Sequence, residues 1–461
     1  MDKAFGAVSR RGFLRDALSA FGFVATGGRT LIAAPEGWKA PGGTKLVFGA
    51  ISDTHLRTDY TGLKAARTFP HKYLLAALNY FRSQNVDAVV HCGDAAHRGQ
   101  IRELEFHADA WNEVFPKNLA PDGHKVEKLF VTGNHEIDGW RYGTETGFKV
   151  ERAFKDPAER AKRILATDIA SSWERVWGEK YEPVWHKTVK GCHFFGRHYG
   201  ADGARLVELV KSCGALRATR PAMPFFVLSH IRPSARITRA LGRLPCAISL
   251  FGHWHHSASS WNVVYDWHGT TAIQVPACAP TKSWLPPSGD KYISKVPIEG
   301  GDVENIGRAR QGYLFRIYDD MMVVERREFG EGGSLGENWI MPLCGKSKKE
   351  SLGKTIGEPQ FRDGARLAVE GGVMRIPLAD GNPKSRVYAY EVEVDGVLRK
   401  AVYAAGANMG VGHETNGGVT AIQIPEAWLA AGGKTVFKVT PLSSLGTRGR
   451  AITTSVAKCA G

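Results

Sequence analysis

Five short segments of the chain carry side chains able to hold divalent ions: Asp53-Thr54-His55, Gly93-Asp94, Gly133-Asn134-His135-Glu136, Ser229-His230 and Gly252-His253-Trp254-His255. Imidazole and carboxylate donors without thiolates suit borderline or harder divalent ions such as zinc, iron, manganese or cobalt. Two aspartates balance little more than one such ion, so a second needs a bridging hydroxide or a substrate phosphate. That arrangement is the useful one. Two ions roughly 3.5–4 Å apart lower the pKa of a shared water and clamp the attacking and leaving oxygens of a displacement. A lone histidine is more often a satisfied core or surface residue. Five of the chain's sixteen, grouped with two aspartates and an asparagine, point instead to one site.

Each segment follows a short apolar run, residues 45–51, 87–90, 128–131, 225–228 and 247–251, and each run reads as a buried strand. Open α/β sheets bind their ligands outside the carboxyl ends of the strands, so five such ends imply a shared site. Between them, Tyr73, Leu74, Ala77, Leu78 and Phe81 fall at helical spacing and predict a helix over 70–83. Ile101, Leu104, Ala108, Trp111 and Phe115 form the stripe of a second helix. Asp156-Pro157-Ala158-Glu159 is a capped helix start, predicted to run on to about Trp177. Hairpins are expected at 185–197 and 313–328, with further helices at 205–212 and 234–241. Strand–helix alternation of this kind argues for a layered α/β domain.

Taken in order, these motifs resemble the calcineurin-like metallophosphoesterase superfamily, over about residues 46–329. The resemblance implies a double-sheet α/β sandwich flanked by helices, and a binuclear metal centre. Transferred residue by residue, Asp53, His55 and His255 would bind the first metal, Asp94 would bridge, and Asn134, His230 and His253 would bind the second. His135 would assist the leaving oxygen as general acid, and Arg98 would contact the substrate phosphate. The implied activity is hydrolysis of phosphodiesters or phosphomonoesters by a metal-bridging hydroxide. The chain departs from the pattern at His97, where many relatives place a carboxylate or asparagine three residues after the bridging aspartate. His135 must then be oriented by another group, and Glu136, Asp138 and His97 itself are the candidates. No tyrosine occupies that position, which argues against the purple acid phosphatase subgroup. His256 is expected to be exposed.

The remaining sequence sets the context. A net charge of +15 over 461 residues favours anionic partners, without choosing among phosphorylated substrates, nucleic acid or a membrane surface. No basic-aromatic channel for a nucleic-acid strand is evident. A nuclease of the same fold, or a non-catalytic binding protein retaining the metal site, are the alternatives. Ser9-Arg10-Arg11-Gly12-Phe13-Leu14-Arg15, followed by a short apolar stretch, resembles a twin-arginine export signal over residues 1–34, implying a bacterial periplasmic or extracellular location. No run approaches transmembrane length. The catalytic domain is expected over 44–329, with a cap-like insertion at 137–183 carrying Trp140, Arg141, Tyr142, Trp173 and Trp177. A Pro/Gly-rich loop at 281–306, with Trp284, Lys291 and Tyr292, reads as a lid or binding loop. A linker at 330–353 would lead to a small all-β sandwich at 354–461, an accessory module. Seven cysteines show no CxxC pairs and predict no particular disulfide.

Overall fold

The computed structural model describes residues 43–58, 69–142, 155–214, 224–244, 246–260, 263–279, 310–344, 352–353, 356–382, 384–407, 418–429 and 433–457. The twin-arginine segment, the loop at 281–306 and Cys459 lie outside the described residues. Those described belong to one compact unit, Pro41–Gly461.

Two six-stranded sheets form the expected sandwich. The first contains β1 (Leu46–Ile51), β2 (Ala88–His91) and β3 (Glu127–Phe130), continued on the other side of β1 by β10 (Gln311–Ile317), β11 (Met321–Glu328) and β12 (Trp339–Pro342), in the order β12-β11-β10-β1-β2-β3. The second contains β4 (Val184–Val189), β5 (Cys192–Arg197), β6 (Phe225–Ser229), β7 (Ala247–Phe251), β8 (Val264–Trp267) and β9 (Thr270–Gln274), in the order β4-β5-β6-β7-β9-β8. Parallel register keeps the functional ends level: Ile51 pairs with His91 and His91 with Phe130 in one sheet. In the other, Ser229 pairs with Phe251. A parallel bridge from Ser52 to Ala277 joins the sheets at that end.

Aromatic packing holds the layers together. Phe48 on β1 stacks on Phe315 at 4.6 Å and meets Phe226 and Phe194 edge-on at 5.1 and 5.5 Å. Truncating a side chain buried this fully costs about 3–5 kcal/mol. The opposite face of β1 takes the helix Phe69–Ser83, whose Phe81 ring lies 2.5 Å from where a Cβ on Gly49 would stand, so only glycine fits there. The helix Ile101–Val114 buries Ile101, Leu104, Ala108 and Trp111, the stripe read from sequence.

Three expectations are corrected and one disulfide is added. The segment 330–353 is not a linker: Trp339–Pro342 is the edge strand of the first sheet, and Leu335, Trp339, Met341, Leu343 and Leu352 enter the core between the sheets. The helix started by Asp156 stops at Arg163. Ile164 is extended and buried, and Asp168 caps a new helix, Ile169–Trp177, by accepting from the Ser171 N–H. A disulfide joins Cys246 to Cys344, tying the start of β7 to the chain just beyond β12. His256 is buried rather than exposed.

Beyond residue 356 the described chain forms two antiparallel sheets. One has three strands, Ala368–Glu370, Val373–Ile376 and Thr420–Gln423, and the other four, Val387–Val394, Val397–Tyr403, Lys434–Ser443 and Ile452–Ala457. They share a core including Met374, Ile376, Tyr390, Val392, Ile422 and Phe437. This β unit touches the first sandwich where Tyr388 donates to Ser260 Oγ at 3.4 Å, five residues beyond His255.

Candidate metal centre

The sequence folds so that each candidate ligand lands one to four residues past a strand end. Sharp turns do this: Asp53, His55, Asp94, His253 and His255 all adopt positive φ, between 46° and 76°. Non-glycine residues in that region are uncommon and cluster at functional sites. Close backbone approach explains the glycine that precedes Asp94, Asn134 and His253. A Cβ on Gly133 would collide with Asp94 Oδ1, and one on Gly252 with Ser52 Oγ. On Gly93, itself at φ +92°, it would lie 2.7 Å from His230 Nδ1.

Seven predicted ligands converge as two groups. In the first, His55 Nε2 lies 3.0 Å from His255 Nε2, and His255 Nε2 lies 3.3 Å from Asp53 Oδ1. In the second, His230 Nε2 is 2.9 Å from Asn134 Oδ1 and 3.1 Å from His253 Nδ1, while His253 Nδ1 is 3.0 Å from Asn134 Oδ1. Asp94 Oδ2 sits between them, 3.1 Å from His230 Nε2 and 3.8 Å from His55 Nε2. Ligands about 2.1 Å from one tetrahedral ion stand about 3.4 Å apart, so these spacings suit metal binding.

Electrostatics agrees. Asp53 Oδ1 is buried with His255 Nε2, itself a candidate ligand, as its neighbour at 3.3 Å. Burial works against the charge on Asp53, but His255, His230 and His55 outweigh it and hold its carboxyl well below the ordinary range. His55 is pushed down by burial first and by His255 and His135 next, so it keeps a free lone pair. His230 goes the other way: burial opposes its charge, but Asp94 beside it raises it to about 9. A spot that attracts a proton this strongly also attracts a cation. The donor set fits two divalent ions, with Asp53, His55 and His255 placed to hold one and Asn134, His230 and His253 the other.

Surrounding groups fix these ligands. His230 Nδ1 donates to the Cys92 carbonyl at 2.8 Å, which leaves Nε2 for the site. The His253 N–H donates to Asp53 Oδ2 at 3.0 Å. Asn134 Nδ2 donates to the Tyr142 hydroxyl at 3.1 Å, which settles the amide's orientation. Glu136 is fully buried and accepts from the N–H groups of Gly133 at 2.6 Å, Asp94 at 3.0 Å and Ala96 at 2.6 Å. Burial, then Asp94, lift its pKa to about 7 despite those donors.

His135 opens a short helix, Asn134–Asp138, and its ring lies 4.5 Å from that of His55 and 4.9 Å from that of Tyr142. Its Nδ1 donates to the His97 backbone carbonyl at 2.6 Å, so the orienting group is main chain, not Glu136 or Asp138. The His97 ring stacks on His135 and brings its Nδ1 within 3.3 Å of His55 Nδ1. Burial, Arg57 and Arg98 push the His97 pKa down to about 2, so this ring is neutral. Arg98 follows on the same loop, its backbone N–H held by Glu103 at 2.7 Å, and its charge reaches His97. Arg57, exposed and two residues beyond His55, is a second cation that the motifs did not single out.

The 137–183 segment divides. Tyr142 belongs to the site, whereas Trp173 and Trp177 pack with Phe130, Trp111 and His107 in the core beneath the first sheet. Residues 143–154 lie outside the described set.

Residues 46–257 match the family model of the calcineurin-like phosphoesterases. No curated protein matches the sequence. Among solved structures, a purple acid phosphatase from yellow lupin (Lupinus luteus) seeds aligns at 13% identity and a TM-score of 0.41, over 64% of this chain and 53% of its own. This chain thus spans about half of that enzyme. A dimetal phosphatase from Danio rerio aligns at 12% identity and 0.37, over 65% of this chain and 100% of its own. A zinc-bound Vps29 from Entamoeba histolytica aligns at 8% and 0.26, over 65% and 99%.

Proposed function

Proceeding from the calcineurin-like phosphoesterase domain of residues 46–257, we propose that this chain is an exported hydrolase of phosphodiesters or phosphomonoesters that works with two divalent ions. The observation that carries the reading is convergence. Side chains from five strand ends point seven donor groups into one place, among them the buried Asp53 Oδ1. Two ions bound there supply Lewis acidity, lowering the pKa of water and neutralising charge on the phosphoryl oxygens.

The chain's own residues do the rest. With its Nδ1–H committed to the His97 carbonyl, His135 has only Nε2 left for the reaction. From that atom it donates a proton or hydrogen bond to the departing oxygen, a contribution of the general-acid kind worth about 10²–10⁴-fold. Asp94 holds the two ligand groups in register. Arg98 and Arg57 add positive potential on the His97 side of the site, which favours an anionic substrate. Export is supported by the Cys246–Cys344 disulfide, since such bonds persist mainly in oxidising compartments, and by the twin-arginine motif. Among the described residues no helix is long and apolar enough to cross a membrane.

The test is hydrolysis of bis(p-nitrophenyl) phosphate and p-nitrophenyl phosphate by protein reconstituted with manganese, iron, zinc or cobalt. Metal-dependent turnover of either ester that is abolished by Asp53→Ala is expected. Stoichiometric metal binding with no turnover of any phosphate ester would favour a binding protein instead.

A further inference from the structure

We propose that His97 is a positioning residue for the first metal: its ring accepts a hydrogen bond from His55 Nδ1–H and so fixes the nitrogen that His55 presents to the ion. The inference rests on the dinuclear reading above. His55 Nε2 faces His255 Nε2 at 3.0 Å and the carboxylates of Asp53 and Asp94 at 3.9 and 3.8 Å, so this nitrogen belongs to the site. For Nε2 to offer a lone pair, the proton must sit on Nδ1. The atom that meets Nδ1 is His97 Nδ1, 3.3 Å away. Metal-binding histidines nearly always donate their second N–H to a carboxylate, a carbonyl or water. His230 follows that habit with the Cys92 carbonyl, whereas His55 turns to another imidazole.

His97 is built to hold still. Its N–H donates to the Leu56 carbonyl at 3.0 Å, clamping it to the turn that carries His55. Its ring stacks on His135 with centroids 5.5 Å apart and 22° between the planes. One residue therefore fixes two histidines, His55 through its side chain and His135 through its carbonyl at 2.6 Å. Only the first contact is removed by a side-chain substitution, so the roles separate. A neutral acceptor also gives His55 less basicity than a carboxylate would, so the first ion should be held less tightly than the same site with an acid at 97.

Chelator titration of full-length protein loaded with cobalt(II), read by metal analysis and by the cobalt absorption spectrum, tests this. Asn134→Ala serves as the reference that weakens the other ion. His97→Phe keeps a stacking ring but removes the acceptor, and should release one ion per chain at about 10–100-fold lower chelator, with the other unchanged. His97→Asp should restore or tighten that ion, which a purely structural role would not produce. Wild-type protein binding two ions, with His97→Phe holding both as tightly, would overturn the role of His97 alone. Failure of the wild type to bind any ion would overturn it together with the dinuclear reading.

Discussion

Glu136 is the residue whose loss should reveal how the ligand loops are held. Its buried carboxylate accepts three backbone N–H groups, from Gly133, Asp94 and Ala96, and so links the turn after β3 to the turn after β2. Glu136→Ala strands all three donors where water cannot reach them. At about 1–3 kcal/mol for each unsatisfied buried group, the loss is at least about 3 kcal/mol. Glu136→Gln keeps one oxygen for the Gly133 and Asp94 donors but turns an amide N–H₂ toward Ala96, costing about 1–3 kcal/mol. Equilibrium urea unfolding of metal-free protein separates these effects from metal binding. The ranking wild type, Gln, Ala is expected in the unfolding midpoint. An Ala variant within about 1 kcal/mol of wild type would refute the claim that these hydrogen bonds carry the loops.

Three further outcomes follow from particular contacts. His135→Ala keeps the backbone N–H that Asp94 Oδ1 accepts at 2.8 Å, so metal content should stay at the wild-type value while turnover falls about 10²–10⁴-fold, measured by steady-state hydrolysis after metal analysis. His198 accepts from the Thr132 N–H at 3.0 Å, and burial first, then Lys187, hold its pKa down to about 3. Between about pH 6.5 and 3 the unfolded chain binds a proton there that the folded chain does not, so this contribution to stability is complete above about 6.5 and lost as pH falls, by up to about 1.4 kcal/mol per pH unit. His198→Asn, which retains an oxygen acceptor for Thr132, should flatten the slope of urea midpoint against pH by about one proton. Replacing Cys246 and Cys344 together by serine should lower stability by about 2–4 kcal/mol, because the bond closes a 98-residue loop, and a reducing agent should have the same effect on wild type in thermal unfolding.

Much of the site was legible because each ligand segment follows an apolar run, and in three of the five a glycine set by close backbone approach stands between them. The spacing of Tyr73, Leu74, Ala77, Leu78 and Phe81 likewise announced a helix. What stayed hidden depends on contacts between distant parts of the chain. Trp339–Pro342 is four residues long in a glycine-rich context, and only its pairing with Met321–Val324 makes it a strand. The break at Ile164, which ends the helix that Asp156 starts, puts that side chain in the core beside Trp140. Cys246 and Cys344 could not be paired without the approach of their Cα atoms to 4.2 Å. His97 was among the candidates to orient His135, but that its backbone carbonyl rather than its ring makes the contact could not be read from the sequence.

Two metal positions joined by Asp94 are what the proposed function requires. Metal analysis of reconstituted wild type and Asp94→Asn tests this most directly, since Asp94 Oδ2 stands 3.1 Å from His230 Nε2 and 3.8 Å from His55 Nε2. About two ions per chain in the wild type, falling to one or fewer in the variant while its fold is retained, is the predicted result. Two ions retained by Asp94→Asn, or none bound by the wild type, would contradict it.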